Sequence, residues 1–406
     1  MPSSWVWTTI GDIAESNIGL TYKPSDICDD GVPVYRSNNI QNRRIDKTEL
    51  VRVNAKILDK QYLSVGDLLI CARNGSRRLV GKCALIENLS EPSAFGAFMA
   101  VCRSAYNPWI YLLLNTGYFN RYLDDSNSTA INQVTQSMLL AFRVPFPPKK
   151  EQDRIIYEIS KWFDLIDTIE KSKEELQVII STTKSKILDL AIHGKLVPQD
   201  PTDEPASELL KRINPKAEII SDNGHYQKLP NGWSITELCN ISTILNGYAF
   251  KSSEYISSNG IRIIRIANVQ DGYIEDKLPQ YYPKSKSSDI GHFLLEYNDL
   301  LMSLTGNVGR VGILPNSLLP AALNQRVACI RENRSIVNKY YLFYLFQSNK
   351  FCSECIKSAK GVAQLNISTE WLKSYTILLP PLAEQKRIVA KIEEIFAQLD
   401  AIETAL

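Results

Sequence analysis

The chain has 406 residues, 44% of them apolar, with 46 basic and 44 acidic side chains. This length allows two or three domains, and the composition is ordinary for a folded soluble protein. No run of eighteen apolar residues is present and Met1–Trp5 lacks the pattern of a secretory signal, so neither a membrane span nor export is expected. Eight scattered cysteines predict reduced thiols in a cytoplasmic protein rather than a disulfide framework.

The first part of the chain predicts short strands separated by Gly, Asn and Asp, followed by a helix. Strands are predicted at Val32–Tyr35, Asp67–Cys71 and Lys82–Ile86, and a helix at Pro108–Leu123. We expect residues 1–147 to form a compact α+β domain of ordinary size, called here the first domain.

A single long helix is predicted over residues 148–195. Its opening, Pro147–Arg154, reads Pro-Pro-Lys-Lys-Glu-Gln-Asp-Arg, and the prolines mark the helix start because proline cannot lie inside a helix. Gly194 stands where a helix C-terminus is expected. Apolar residues between these ends recur at spacings of four and three, a heptad seam that predicts a partner helix. The apolar seam residues are Ile155, Ile159, Trp162, Ile166, Ile169, Leu176, Ile180, Ile187 and Leu190.

A linker over residues 196–229 separates this helix from a second series of strands. Val197–Pro205 is rich in proline and acidic residues and predicts an extended segment. Ala206–Ile213 is a candidate short helix, and the polar stretch 214–228 predicts little order.

The second domain, residues 230–380, is predicted to have the same character as the first. Strands are expected at Ile261–Ile266, Asp299–Leu304 and Val308–Leu314, and a helix at Lys339–Lys357. A helix over residues 381–406 then repeats the opening of the long helix, since Pro380–Arg387 reads Pro-Pro-Leu-Ala-Glu-Gln-Lys-Arg. Its seam residues are Ile388, Ile392, Ile395, Leu399, Ile402 and Leu406, and it stops at the counterpart of Lys173.

The chain is therefore an internal duplication. Shared glycines and apolar strands with different loops indicate one scaffold that carries two different surfaces. The matched segments are Trp7 with Trp233, Gly19–Lys23 with Gly247–Lys251, Gly31–Ile40 with Gly260–Val269, and Gly66–Ile70 with Asn298–Met302.

Patterns typical of catalysis or metal binding are missing. Gly306–Gly312 is rich in glycine but lacks the lysine of a phosphate-binding loop. Glu275–Lys277 has no suitably placed acidic partner for a nuclease, and no Asn-Pro-Pro-Tyr sequence for amino-group methylation is present. Cys352 and Cys355 form a lone Cys-x-x-Cys without a second ligand pair, which favours a structural role over a zinc site. We therefore expect no catalytic residues and no metal.

Polar clusters at matching places of the two copies are the candidate binding residues. Arginine can hydrogen-bond guanine edges and asparagine or glutamine can hydrogen-bond adenine, while phosphates accept from all of them. Arginine and asparagine also end strands and stay solvated, so a single residue of this kind does not identify a site. The candidates in the first copy are Tyr22, Lys23, Arg36, Asn38, Asn39, Arg73, Asn74, Arg77 and Arg78. Those in the second are Phe250, Lys251, Arg265, Asn268, Thr305, Asn307, Arg310, Asn324, Gln325 and Arg326.

The whole chain resembles the specificity subunits of type I restriction-modification systems. The resemblance rests on the two Pro-Pro-x-x-Glu-Gln-x-Arg-Ile openings, on the duplicated segments, and on the tail Ala191–Gln199 of the long helix. It implies two target-recognition domains separated by two long helices that form an antiparallel coiled coil. Each domain would read one half of an asymmetric double-stranded DNA target, and the coiled coil would set the gap between the halves.

The resemblance also implies partners in a prokaryotic cytoplasm and no catalytic activity in this chain. Two methyltransferase subunits using S-adenosylmethionine and two restriction subunits using ATP with magnesium would assemble on it, and the chain itself would bind no cofactor. A different class of function stays open on the residues alone, namely an interaction scaffold whose duplicated domains bind proteins. Steep salt dependence of DNA binding would distinguish the two classes, because phosphate contacts release counterions.

Overall fold

The structure, a computed structural model, describes residues 2–126, 133–217, 219, 229–361 and 364–406. The chain divides into two compact units, Met1–Ile169 and Glu170–Leu406. Each unit mixes helices with small sheets, which confirms the predicted duplicated α+β fold.

The described part of the first domain has a set of helices and four groups of strands, the smallest of which pairs β4 with β5. An antiparallel sheet of order β2-β10-β7-β8 lies beside a second sheet of order β6-β3-β9, and a two-stranded ribbon pairs β1 with β11. The elements are β1 Val6–Thr9, α1 Ile10–Ile13, β2 Glu15–Ile18, β3 Ile27–Tyr35, β4 Ile40–Gln41, β5 Arg44–Ile45, β6 Val51–Val53, β7 Leu68–Cys71, β8 Cys83–Leu85, β9 Ala94–Phe95, β10 Met99–Arg103, α2 Asn107–Leu114, α3 Gly117–Ser126, α4 Gln136–Ala141, β11 Arg143–Phe146 and α5 Lys149–Ile192.

The second domain repeats this plan after a short helix. Its sheets have the orders β13-β20-β17-β18 and β15-β14-β19-β16, and its ribbon pairs β12 with β21. The elements are α6 Ala206–Ile213, β12 Ser234–Glu237, β13 Ser242–Asn246, β14 Ile261–Ile264, β15 Tyr281–Tyr282, β16 Leu294–Leu295, β17 Leu300–Ser303, β18 Val311–Ile313, β19 Ala321–Leu323, β20 Val327–Glu332, α7 Lys339–Gln347, α8 Asn349–Ser358, α9 Thr369–Lys373, β21 Thr376–Leu379 and α10 Leu382–Ala405.

The central strand β7 shows why the main sheet is buried on both faces. Leu68 and Ile70 pack against the helices of the domain, whereas Leu69 and Cys71 pack toward the second sheet. Successive side chains of a strand point to opposite faces, so a continuous apolar run is needed when both faces are covered. The strand prediction at Asp67–Cys71 is confirmed for this reason.

The predicted helices at 108–123 and 339–357 are each two shorter helices. The second break is at Ser348, which ends α7 and caps α8 by accepting a hydrogen bond from the Phe351 amide at 3.3 Å. Serine favours such a position because its hydroxyl satisfies an otherwise unpaired amide at a helix start. The strand expected at Val308–Leu314 is also shorter and begins only at Val311.

Strand pairing gives the exact correspondence of the two copies at their entry and exit. Val6 pairs with Phe146 in the first ribbon, and Ser234 pairs with Leu379 in the second. The residue before each ribbon is therefore Trp5 in one copy and Trp233 in the other. The predicted match of Trp7 with Trp233 is wrong by two residues, because Trp7 lies at the position of Ile235.

The matched glycines at Gly19 and Gly247 have one shared physical reason. A Cβ on Gly19 would lie 2.2 Å from the carbonyl oxygen of Phe95, and one on Gly247 would lie 2.1 Å from that of Asn324. No side chain fits at such an approach between two backbones. The equivalent bridges of Leu20 with Gly96 and Tyr248 with Asn324 confirm that these segments correspond.

The C-terminal part of α5 pairs with α10 in antiparallel orientation. Lys173 donates a hydrogen bond to the Leu406 carbonyl oxygen. Eleven residues further along α5, Lys184 forms ion pairs with Asp400 at 2.6 Å and with Glu403 at 3.1 Å. Residues further along α5 therefore contact residues nearer the start of α10. The two helices run in opposite directions, so the predicted antiparallel coiled coil is present over this part.

Helix α10 covers the predicted seam where the two helices run side by side. Ile180 and Ile187 are buried, and Ile187 shares a core cluster with residues of α10 such as Ile388. Trp162 and Ile166, by contrast, are 63% and 46% exposed. Further seam positions of the prediction that are exposed are Ile169 and Leu190. The heptad pattern thus continues well beyond the segment that α10 covers.

Candidate nucleic-acid interface

Three segments of the first domain meet at one edge of its sheets. The Ala72 amide donates to the Phe98 carbonyl oxygen at 2.9 Å, and the Gly96 amide donates to that of Tyr35 at the same distance. The Asn74 side chain joins them by donating to the Ser37 hydroxyl at 3.1 Å. We call residues 36–39, 72–78 and 96–98 the first loop surface.

The second domain has the same arrangement with different residues. The Leu304 amide donates to the Arg326 carbonyl oxygen at 2.9 Å, and the Asn324 amide donates to that of Ile264 at 3.1 Å. Residues 265–268, 304–310 and 324–326 therefore form an equivalent second loop surface. These two backbone hydrogen bonds have the same places in both domains, while the exposed side chains differ.

The exposed candidates of the first domain are Lys23, Asn38, Arg73 and Arg78. The Arg73 guanidinium lies over the Phe98 ring, 5.7 Å from its centroid. Arg77 is half-buried and forms an ion pair with Asp124 at 2.5 Å, so part of its charge is already balanced. Asn74 is also half-buried, and its hydrogen bonds to Ser37 and Ser76 make it a residue that shapes the loop.

The exposed candidates of the second domain are Lys251, Asn307, Gln325 and Arg326. With its amide oxygen facing the guanidinium, Asn307 accepts two hydrogen bonds from Arg310 at 3.2 and 3.1 Å. Asn324 accepts from the Arg326 amide at 3.3 Å and so orders the turn. Thr305 is buried and donates to Asn366 at 2.7 Å, which gives it a structural contact.

Two predicted contact residues, Asn39 and Asn268, are buried inside the scaffold. Asn39 accepts from the Arg36 amide at 2.9 Å, and Asn268 accepts from the Arg265 amide at 2.8 Å. Both amide groups also donate inward, to Asp46 in the first domain and to Glu275 in the second. These side chains close the turns after β3 and β14, so they are not available to a ligand, contrary to the prediction.

The aromatic candidates Tyr22 and Phe250 pack inward as well. Tyr22 lies against the cluster that contains Leu20 and Val34. Phe250 makes an edge contact with Tyr282, with centroids 5.1 Å apart. Their matching positions reflect shared packing of the duplicated scaffold.

Arg36 and Arg265 occupy the same place in the two domains and share an unusual feature. The Nε atom of each is buried without a hydrogen-bond partner among the described residues. Arg265 uses another guanidinium nitrogen to donate to the Leu278 carbonyl oxygen at 2.8 Å. Buried polar groups in native proteins are normally paired, so these atoms are candidates for pairing with a bound group.

Sequence reasoning missed Phe98 and Gln364. Phe98 is 62% exposed in the first loop surface, at the position that Arg326 occupies in the second. Gln364 lies beside the second loop surface, 3.5 Å from a Cβ built on Gly306.

The described residues contain no cluster of His, Cys, Asp or Glu that could hold a metal ion. Cys352 and Cys355 are free thiols of α8, and burial raises the pKa of the Cys355 thiol to about 12. A buried neutral thiol of this kind is inert packing. Among the helices of the described ranges, none is long and apolar enough to cross a membrane.

Comparisons with known proteins agree with this geometry. Residues 2–178 and 230–406 match the family described as type I restriction modification DNA specificity domain. The chain is 29% identical to the type I restriction enzyme EcoAI specificity subunit of Escherichia coli, over 97% of this chain and 78% of the relative. It is 27% identical to the EcoKI specificity subunit of E. coli strain K12, over 99% of this chain and 84% of the relative.

Solved structures show the same fold. The HsdS subunit from Thermoanaerobacter tengcongensis has a TM-score of 0.57 at 19% identity, covering all of this chain and 92% of that one. A chain from a structure of the complex assembly and conformational transition of the type I R-M system has a TM-score of 0.64 at 17% identity, covering 100% and 93%. With two copies of the family domain filling most of its length, this chain belongs to the family of type I restriction-modification specificity subunits, which are non-catalytic components of those systems.

Proposed function

We propose that each domain uses its loop surface to read one half of an asymmetric, split DNA sequence. The observation that carries the proposal is the equivalence of the two loop surfaces in backbone hydrogen bonds together with their difference in exposed side chains. Phe98 stands where the second domain has Arg326, and Arg73 stands where it has Thr305. A shared frame with different groups on its rim supports two readers with different base preferences.

The long helices would have a different role from the two domains. Domains at 1–147 and 230–380 would read bases, and the helices at 148–195 and 381–406 would set the unread gap, because a helix has a fixed rise per residue. The same helices would dock two methyltransferase subunits, with two restriction subunits completing the assembly. The partners would supply S-adenosylmethionine and ATP with magnesium, which this chain would not bind.

Two sets of substitutions test the division of labour. Replacing Arg73, Arg77 and Arg78 by Ala removes three cations of the first loop surface. Replacing Asn307, Arg310 and Arg326 by Ala alters the second. Each lost base contact costs about 1–3 kcal/mol, so the first set is expected to relax one half-site and the second set the other. Methylated adenines mapped in cells that carry the matching methyltransferase report both half-sites at once.

Two results would contradict the proposal. If both sets of substitutions relaxed the same half-site, the domains would not read separate halves. If the assembled complex bound DNA without a decrease in affinity as salt rises, phosphate contacts would be missing and a protein-binding scaffold would be the better description.

A further inference from the structure

The hairpin formed by β4 and β5 joins the first domain to α5 about 20 Å from the start of that helix. The Arg43 guanidinium lies over the Phe163 ring, 5.0 Å from its centroid. The Arg44 guanidinium forms ion pairs with Asp167 at 2.5 Å and with Asp164 at 3.7 Å. The three helix residues lie within about one turn of each other, so the two arginines hold a single short stretch of α5.

The duplication shows which residues of the second domain correspond to this hairpin. Ile40 pairs with Ile45 in the first domain, and Val269 forms a bridge with Ile274 in the second. Four residues lie between the paired residues in each domain. The third of these four is Arg43 in the first domain, and its counterpart in the second is a glycine, Gly272.

The turn of the first hairpin contains an arginine in a backbone conformation that favours glycine. Its central residues Asn42 and Arg43 have φ angles of +45° and +62°, and Gly272 has a φ of +89°. In a two-residue turn of this kind glycine is preferred at the second position, because a side chain is strained there. The Tyr111 hydroxyl supports the strained residue by donating to the Arg43 carbonyl oxygen at 3.1 Å. An arginine kept against a local preference for glycine points to a role for its side chain.

The second domain does not hold its own helix in this way. No side chain of residues 269–274 forms a hydrogen bond or an ion pair with α10 in the part of the chain that the structure describes. Asp400, the counterpart of Asp167 in the repeated helix, forms an ion pair with Lys184 of α5 at 2.6 Å. The same helix position therefore binds the domain in the first copy and the partner helix in the second.

We infer that Arg43 and Arg44 are positioning residues that fix the direction in which α5 leaves the first domain. The start of the helix is held separately, since Gln152 is fully buried and Ile155 and Ile156 pack against the core of the domain. A hold at the start of a stiff helix leaves its angle to the domain variable, whereas a second hold about 16 Å further on fixes that angle. Each contact of the hairpin is weak by itself, because water and salt screen exposed ion pairs, but all of them act at one place.

The consequence for recognition rests on the proposed function, in which the long helices set the unread gap. A tilt of about 10° at the hairpin contact would move the end of α5, about 40 Å further on, by about 7 Å. This displacement equals about two base pairs of DNA at 3.4 Å each. The two arginines would therefore narrow the range of gaps that the assembled complex accepts, without affecting the bases that either domain reads.

The first measurement follows the helix in the full-length chain without DNA. Spin labels on a keto amino acid introduced at the exposed residues Lys60 and Ser172 avoid the eight native cysteines and report the distance from the first domain to α5. Arg43→Gly introduces the residue of the second domain, so it should leave the melting temperature unchanged or raised while the distance distribution broadens. This combination separates a positioning role from a role in folding, which would lower the melting temperature.

Charge reversal gives a second and independent variant. Arg44→Glu places a carboxylate beside Asp164 and Asp167, and the distance distribution should broaden. Adding Asp164→Arg and Asp167→Arg restores the attraction with opposite signs and should restore the narrow distribution. Arg121→Glu is the matched control and should leave the distribution narrow, since Arg121 is an exposed arginine of the same domain that bonds only within its own helix.

Methylation mapping of the Arg43→Gly and Arg44→Glu complexes then reports the gap. We expect additional gaps that differ by about one or two base pairs, with both half-sites unchanged. An unchanged distance distribution in both variants would overturn the inference, and so would equal broadening in the Arg121→Glu control or a failure of the reversed charges to restore it. Broadening with a single unchanged gap would support the positioning role and contradict the proposed function of the helices.

Discussion

Gln152 and Gln385 are the same residue of the repeated helix opening, and both are fully buried. Gln385 accepts from the Asn338 amide at 2.7 Å and donates to the carbonyl oxygens of Ile336 and Pro380 at 3.1 and 2.9 Å. Gln152 donates only to Pro147, at 2.8 Å, and its carbonyl oxygen has no partner among the described residues. The same sequence position thus forms more hydrogen bonds in the second copy than in the first, and contributes more to the stability of the second.

We therefore expect Gln385→Ala to cost more stability than Gln152→Ala. The first change leaves a buried amide and two buried carbonyl groups unpaired, for an expected loss of about 2–4 kcal/mol in the free energy of unfolding. The second change removes one hydrogen bond, so its cost in the free energy of unfolding should be smaller than that of the first by about 1 kcal/mol or more. Urea unfolding of the two variants measures the difference, and equal losses would show that these hydrogen bonds do not determine the effect.

Phe98 is an exposed aromatic residue of the first loop surface. Because it is 62% exposed, Phe98→Ala should change the free energy of unfolding by no more than about 0.5 kcal/mol. Under the proposed function it should nevertheless weaken recognition of the first half-site, as judged by methylation mapping. Ile27→Ala is the control, because Ile27 is 51% exposed in the same domain and lies outside the loop surface. An equal effect of both changes on recognition would remove Phe98 from the interface.

The sequence predicted the positions of the turns better than it predicted which turn residues are exposed, and the difference has a physical reason. The duplicated pattern located the turns after β3 and β14 correctly, yet Asn39 and Asn268 recur there because each closes its turn through backbone hydrogen bonds. Asn39 and Asn268 repeat in both copies because the shared scaffold needs them to close these turns. Side chains that differ between the copies, such as Phe98 and Arg326, are left free to meet a ligand.

At the scale of elements, the heptad spacing predicted the long helix, its end at Gly194 and the need for a partner. Gly194 has a φ of +66° and the Lys195 amide donates to the Leu190 carbonyl oxygen at 2.9 Å, as in a helix C-terminus. Spacing alone could not show where the seam is covered. That depends on the register of α10, which the ion pairs of Lys184 define.

Paired and unpaired parts of the seam should respond differently to a charge. Ile187→Asp places an unpaired carboxylate in the core shared with α10 and should cost at least about 3 kcal/mol. Ile166→Asp, which the spacing alone predicts to be as damaging, should cost about 0.5 kcal/mol or less because Ile166 is 46% exposed. Thermal or urea unfolding of the isolated chain compares the two, and equal destabilisation would contradict this register.

At the scale of the whole molecule, residues 168–172 of α5 form no side-chain hydrogen bond or ion pair with another element of the described ranges. Asp167 is the last residue that the first domain holds, through an ion pair with Arg44 at 2.5 Å, and Lys173 is the first that contacts Leu406. Seven residues inserted after Ile169 would lengthen the helix by about 10.5 Å without breaking either contact. The heptad also keeps the seam in phase apart from a drift of about 20°.

The proposed function then predicts a longer gap between unchanged half-sites. An extension of about 10.5 Å corresponds to about three base pairs of DNA at 3.4 Å each. Methylation mapping of the engineered complex reads the gap directly. Seven Gly and Ser residues at the same place are the control, because a flexible insert is expected to give no single preferred gap. An unchanged gap in a folded and active insertion variant would show that the helix does not measure it.

The ribbons β1–β11 and β12–β21 have a consequence for how such proteins diversify. Each ribbon holds the first and last strands of its domain side by side, as Val6 with Phe146 and Ser234 with Leu379. A domain whose first and last strands lie side by side can be exchanged as a unit, called here a cassette. Recombination between genes at the repeated Pro-Pro-x-x-Glu-Gln openings would exchange whole cassettes in frame, and new pairings of readers could arise in one genetic step without any change to the helices.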